Sequence, residues 1–251
     1  VKIAMRAAFV ALVALAEFSA APVAGAQDAG DGFLFSRPTG SWTLRGGYAM
    51  PSANSDIFSF TTNNYTVNRG DFSAFDVGGD LAFTIAPRVD LVFDISYSGM
   101  SKASEYRNFV DNNQQPIQQT TSFQRTPITV NVRYYLTDRG RQIGHYAWVP
   151  NRIVPYVGAG VGAMYYDFEQ KGDFIASDSA MTVFPDELKS RGWAPMAQVL
   201  GGVEWELGPH WSLRTEARYL TGSAELSSDF VGFHRIDLSG MTSSVGFFLR
   251  F

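Results

Sequence analysis

The sequence predicts an all-β fold, a closed eight-stranded antiparallel up-and-down β-barrel that crosses a membrane. Three observations predict it. Apolar and polar residues alternate with a period of two in eight separate segments. Cysteine is absent from the 251 residues, so no disulfide stabilises the chain and a sheet closed on itself takes that role. Glycine (24) and phenylalanine (20) are plentiful while charged residues make up 18%, a mix too aromatic for a disordered chain. The composition also excludes other classes. A formal charge of -4 leaves no basic footprint for nucleic acid. Thiolate metal sites are impossible without cysteine. A polytopic helical membrane protein is excluded because only the N-terminal apolar run approaches a bilayer span.

Residues 1–26 read as a cleavable secretory signal peptide. Lys2 and Arg6 precede an apolar core at 7–16, and Ala24-Gly25-Ala26 supplies the small-residue cleavage pattern. Residues 27–40 are then a short periplasmic N-terminal segment, and 41–251 the barrel.

The eight segments follow in order. Segment 41–50 sets Trp42, Leu44 and Tyr48 against Thr43, Arg45 and Gly47. Segment 72–85 sets Phe75, Val77, Leu81 and Phe83 against Asp76, Gly78 and Asp80, and 89–98 sets Leu91, Phe93, Ile95 and Tyr97 against Asp90 and Asp94. Segment 126–136 alternates Ile128, Val130, Val132 and Tyr134 with Thr129, Asn131 and Arg133; 153–167 alternates Val157, Val161 and Tyr165 with Gly158, Gly160 and Gly162. Segment 194–207 opposes Val199, Val203 and Trp205 to Gln198 and Glu204; 211–220 opposes Trp211, Leu213 and Tyr219 to Arg214, Glu216 and Arg218. The last, 236–251, carries Val245, Phe247, Leu249 and Phe251 on one face. There Ile236 and Leu238 fall on the wrong parity, which a bulge or an exit from the apolar zone explains. Tight turns are expected at 86–88 and 208–210, and long polar loops, among them 54–69, 101–124 and 167–191, at the opposite end. The long link 137–152 is the exception on the short-turn side.

Alternation does not say which face is outside. Three features turn the apolar face outward. The polar face is crowded with glycine, which a solvated surface does not need but a narrow lumen does. Its charges are of both signs, with arginine in place of lysine, which suits paired groups in a confined interior. Trp42, Tyr97, Tyr134, Trp205, Trp211 and Tyr219 lie near the ends of the apolar faces and form an aromatic girdle at the two membrane boundaries. Arg45, Asp80, Asp94, Arg133, Glu204, Arg214, Glu216 and Arg218 are then a lumen ion-pair network that fills the interior and fixes register.

Three matches carry a family resemblance: PYVGAGVGA at 155–163, GGVEWEL followed by WSLRTEARY within 201–219, and Phe251 preceded by Leu249 and Phe247. Together they resemble the eight-stranded outer-membrane barrel family, of which the transmembrane domain of outer membrane protein A is the type. The resemblance covers about residues 40–251. It implies an integral protein of the outer membrane of a Gram-negative bacterium, with long loops extracellular and outer-membrane lipids as its surroundings. It also implies a barrel assembly machinery that reads Phe247, Leu249 and Phe251 as a C-terminal signal. The family's peptidoglycan-binding domain has no counterpart, and 27–40 and 137–152 depart from the family pattern.

No catalytic or metal site is expected, and no cofactor. Asp76, Asp80, Asp90 and Asp94 read as balancing the arginines rather than holding a cation. His145 and His210 lie in connections. His234 has Ser227, Ser228 and Asp229 nearby, but no recognisable motif frames them. Tyr146 and Trp148 beside Arg139, Arg141 and Arg152 read as an interfacial anchor. The expected role is structural or interactive: envelope integrity, or surface contact through the loops. The rival readings are a narrow channel for small solutes and a lipid-modifying enzyme or protease.

Overall fold

The computed structural model describes residues 37–110, 114–143, 147–175, 183–207 and 211–251. The chain divides into two units, a small one of Val1–Arg37 with Gln142–Val149 and a large one of Pro38–Arg141 with Pro150–Phe251. Residues 1–36, and with them the signal-peptide and most of the N-terminal-segment expectations, lie outside the described residues. So do His145, Tyr146 and the turn containing His210.

The large unit is a ring of eight antiparallel strands. They are β1 (Gly40–Pro51), β2 (Ala74–Ala86), β3 (Val89–Val110), β4 (Pro116–Tyr135), β7 (Ile153–Ile175), β8 (Val183–Glu206), β9 (Trp211–Ala224) and β11 (Gly240–Arg250). Each pairs with its neighbour in sequence, β11 pairs with β1, and β8 pairs with β9, so the ladder returns on itself. A helix, α1 (Asp56–Asn64), lies in the first long connection, and a two-residue strand, β10 (Ile236–Asp237), in the last. The link after β4 contains β5 (Gly140–Ile143) and β6 (Ala147–Pro150), which form a two-stranded sheet of their own.

The apolar face points outward. Val130, Val161, Val199, Phe75 and Phe93 are exposed, Val161 and Phe75 at 67% each, whereas Arg133, Asp90 and Glu204 are 1% exposed. Of the girdle residues, Tyr134, Trp205, Trp211 and Tyr219 are exposed and Trp42 and Tyr97 half-buried. Phe247 and Phe251 are also exposed.

Several elements differ from the sequence expectation. Strands β3, β4, β7 and β8 run on as a paired sheet through most of 101–124 and 167–191, which the composition had marked as loops. Above the ring the outer face of the sheet turns polar as well, so alternation loses its contrast: Gln118-Gln119-Thr120-Thr121-Ser122 is polar on both faces yet continuously paired. Residues 54–69 are not structureless, since α1 occupies 56–64 of them. Ile236 and Leu238 keep the parity of the inward positions of the last strand and are fully buried, with Ile236 still paired to Ala224 of β9. The off-parity residues therefore mark an exit from the apolar zone of the wall, where the inner face becomes the apolar one.

The free edge of the projecting sheet is blunted. Pairing of β8 with β9 stops at Met196 opposite Gly222. Beyond it, the Lys189 N–H donates to Asp229 Oδ2 (3.0 Å) and its carbonyl accepts from the Ser227 hydroxyl. Lys189 thus faces the open edge, and the two-residue period places Glu187 and Pro185 there too. The Glu187 N–H donates to the Asp186 carboxylate (2.8 Å), and Pro185 has no N–H. Together these deny an incoming strand its ladder.

Candidate functional site

The lumen is the one place where the predicted polar residues converge, and it has two storeys. The lower storey is ionic. All eight residues of the expected network are buried. Arg214 reaches Asp80 at 3.1 Å and Glu204 at 2.9 Å. Arg45 binds Asp94 at 2.6 Å and lies 3.5 Å from Asp80. Arg218 bridges Asp94 (3.0 Å) and Glu216. Arg133 sits 3.8 Å from both Asp80 and Glu216.

Register explains why these groups meet. Around one level of the wall, Gly78, Arg45, Gly246, Arg214 and Glu204 are consecutive cross-strand partners. Glycines alternate with arginines, and the Arg45 guanidinium folds over Gly78, where a Cβ would stand 2.9 Å from its Nη2. One level away, Tyr156 faces Gly202 and Gly202 faces Glu216, and the Tyr156 hydroxyl donates across the glycine to Glu216 at 2.7 Å. Likewise Gln198 reaches over Gly160 to Asn131 at 2.6 Å. A Cβ on Gly202 would stand 2.5 Å from the Tyr156 hydroxyl oxygen. The glycine stripe therefore provides the space that strand-skipping hydrogen bonds need.

Arg250, put on the polar face by its parity, joins the network through Glu204 (3.2 Å) and Glu206. Two parts of this storey escaped the sequence. Tyr135 donates to Asp90 (2.8 Å) and Glu204 (3.0 Å), an inward tyrosine directly after an outward one. Arg139, grouped from sequence with the interfacial anchor, instead turns inward: it is 6% exposed, binds Asp90 at 2.9 Å and covers the Tyr135 ring at 4.4 Å. An unpaired carboxylate at Asp90 attracts it, since a buried charge demands a partner. Among the described residues, the arginines Arg45, Arg125, Arg133, Arg139, Arg214, Arg218 and Arg250 match in number the carboxylates Asp76, Asp80, Asp90, Asp94, Glu204, Glu206 and Glu216. The interior is charge-balanced.

The upper storey is an apolar cork. Phe58 of α1 packs edge-on against Phe72 (4.8 Å), Phe123 (5.4 Å) and Phe168 (5.7 Å). Ile57, Val67, Phe230, Ile236 and Leu238 bury with them. Polar bonds tie the cork down. Gln170 donates to the Thr61 hydroxyl (2.9 Å), and Arg125 donates to the Leu238 carbonyl (3.0 Å), joining the two storeys. At the outer surface, Asp56 accepts from the His234 N–H (2.8 Å) and lies 2.7 Å from its Nδ1. Some burial works against its charged form, but those bonds and the Ile57 N–H hold the Asp56 carboxyl below its usual range. Burial pushes the Tyr65 phenol up to about 12. His234 is therefore a latch partner of Asp56, while Ser227 and Asp229 serve the β8 edge; the constellation considered from sequence is split.

No family model matches the chain, and no curated protein does. It is similar to the solved structure of Neisserial surface protein A, at 14% identity and a TM-score of 0.47, covering 84% of this chain and 97% of that one. Ail, the attachment invasion locus protein of Yersinia pestis, in complex with the heparin analogue sucrose octasulfate, matches at 12% identity and a TM-score of 0.38, covering 85% and 99%. Outer membrane protein W of E. coli matches at 13% identity and a TM-score of 0.39, covering 86% and 100%.

Proposed function

We propose that this chain is an integral outer-membrane barrel with a structural and surface-interaction role, its long strand extensions facing outside the cell. One observation carries the reading: the wall is apolar outside while the interior is packed, ion-paired and charge-balanced. A water-soluble barrel has the reverse arrangement. From Trp193 to Trp205, β8 rises about 40 Å at about 3.3 Å per residue, and a strand tilt near 40° turns that into about 30 Å of height. That matches a bilayer's hydrocarbon thickness, with an indole at each boundary. Closure supports the same reading, because an open edge in hydrocarbon costs several kcal/mol per unpaired backbone group.

The filled lumen favours a scaffold over a channel, and the split of His234 from Ser227 and Asp229 favours a non-enzymatic role. Residues 1–26 are then the export signal, and Phe247, Leu249 and Phe251 the contact for the assembly machinery. The test is topology in whole cells: single cysteines at Asp173 and Asp186 should react with an impermeant maleimide, and cysteines at Val130 and Val161 should not. Labelling of Val130→Cys from water would remove the membrane reading.

A further inference from the structure

At the end of the barrel opposite the cork, arginines sit one step beyond the girdle. Arg88 forms the β2–β3 turn, and its carbonyl accepts from the Tyr135 N–H, which places it just below Tyr134 and Val89. Its Nε donates to Asp138 at 2.8 Å, and the side chain stays 40% exposed. Arg152 precedes Ile153, the residue paired with Trp205. It is exposed and carries no ion pair among the described residues. Strand β4 runs between them, presenting Tyr134 and then Leu136 outward, both exposed. The two cations flank one strand, about 10 Å apart around the rim at the usual strand spacing.

We propose that Arg88 and Arg152 form a site for the phosphate of an anionic phospholipid headgroup, whose acyl chain lies along Leu136 and Tyr134. Long cationic side chains at a membrane boundary extend into the phosphate layer while nearby aromatic rings stay at headgroup level. The other rim differs. Beyond Tyr165 and Trp193, the outward pair is Asp167 opposite Arg191, one acid to one base, where Arg88 and Arg152 are two bases to the one acid Asp138. The Asp138 carboxylate beside it holds the Arg88 guanidinium above its ordinary range, so it is fully charged at any pH of the envelope. The inference rests on the membrane-barrel reading.

The test uses the full chain in phosphatidylcholine vesicles with spin-labelled phosphatidylglycerol or spin-labelled phosphatidylcholine as the probe. Each arginine near a lipid surface is worth about a five-fold gain in association of the anionic lipid. The expected result is a selectivity of at least that size, lost in Arg88→Gln/Arg152→Gln, kept in Arg88→Lys/Arg152→Lys, and kept in Arg191→Gln. Equal association of the two lipids, or selectivity that survives the double glutamine change, overturns the site. Displacement of the labelled lipid by millimolar inorganic phosphate would make it a site for a free anion and overturn the lipid assignment. Heat-modifiable gel mobility separates the two readings: a chain that fails to insert overturns both, whereas an inserted chain without selectivity overturns only this one.

Discussion

Arg214 has the most consequential side chain in the lumen, because it links Asp80 to Glu204 and stacks over Phe248 at 4.6 Å. Replacing it with alanine leaves two buried carboxylates short of a partner, which costs about 3–5 kcal/mol. Urea unfolding followed by tryptophan fluorescence should show a midpoint shift of that size, and a shift below about 0.5 kcal/mol would mean that Arg45, Arg133 and Arg250 already neutralise both acids. Asp56 presents a milder case. Its carboxyl titrates below the ordinary value of 3.8 when folded, so its contribution is present above that pH and lost as the pH falls through the folded value. Amide protection factors along α1, corrected for the intrinsic exchange rate at each pH, should therefore fall below about pH 3.8 in the wild type. Asp56→Asn should remove that acid step at a cost under about 1 kcal/mol, the scale of an exposed pair.

Among the elements, β8 shows how a projecting sheet avoids pairing with another chain. Pro185→Val restores an N–H to the open edge, and Asp186→Ala frees that of Glu187. The double variant should associate in detergent more than the wild type, seen as a new cross-linked dimer band; an unchanged pattern would assign the protection to Asp229 and Ser227 instead. This element also shows where sequence reading stops. Within the wall each strand is apolar on one side and ionic on the other, so the alternation of Val199 and Val203 with Gln198 and Glu204 is legible without coordinates. Above it both sides of Lys189 or Gln119 are polar, and periodicity carries no signal. The cork fails to register for a different reason. Helix α1 buries only Ile57, Phe58 and Thr61, too short a stripe for a 3.6-residue period to stand out, and its partners Phe123 and Phe168 are far away in sequence. Of the site, the ion-pair members could be read because they sit on regular strands. Arg139 could not, since it reaches the lumen from a connection.

For the whole molecule, two independent seals predict electrical silence. Planar bilayers holding the wild type should show no discrete conductance, and so should a variant with residues 53–71 replaced by a short Gly-Ser linker, because the ionic storey still fills the bore. Conductance in the linker variant alone would place the barrier in the cork. The seam where β1 meets β11 has a further consequence. Ser41 lies opposite Arg250, and the Thr39 N–H donates to the Phe251 carbonyl, a join across 212 positions. Any sheet lacking one of the eight strands keeps two raw margins, so no smaller ring is available on the way. Contacts this distant in sequence slow folding, because loop-closure entropy is lost before they form. Afterwards the ring itself has no margin at which it can begin to unzip, and the margins that remain lie in the extensions of β3 and β8 beyond it.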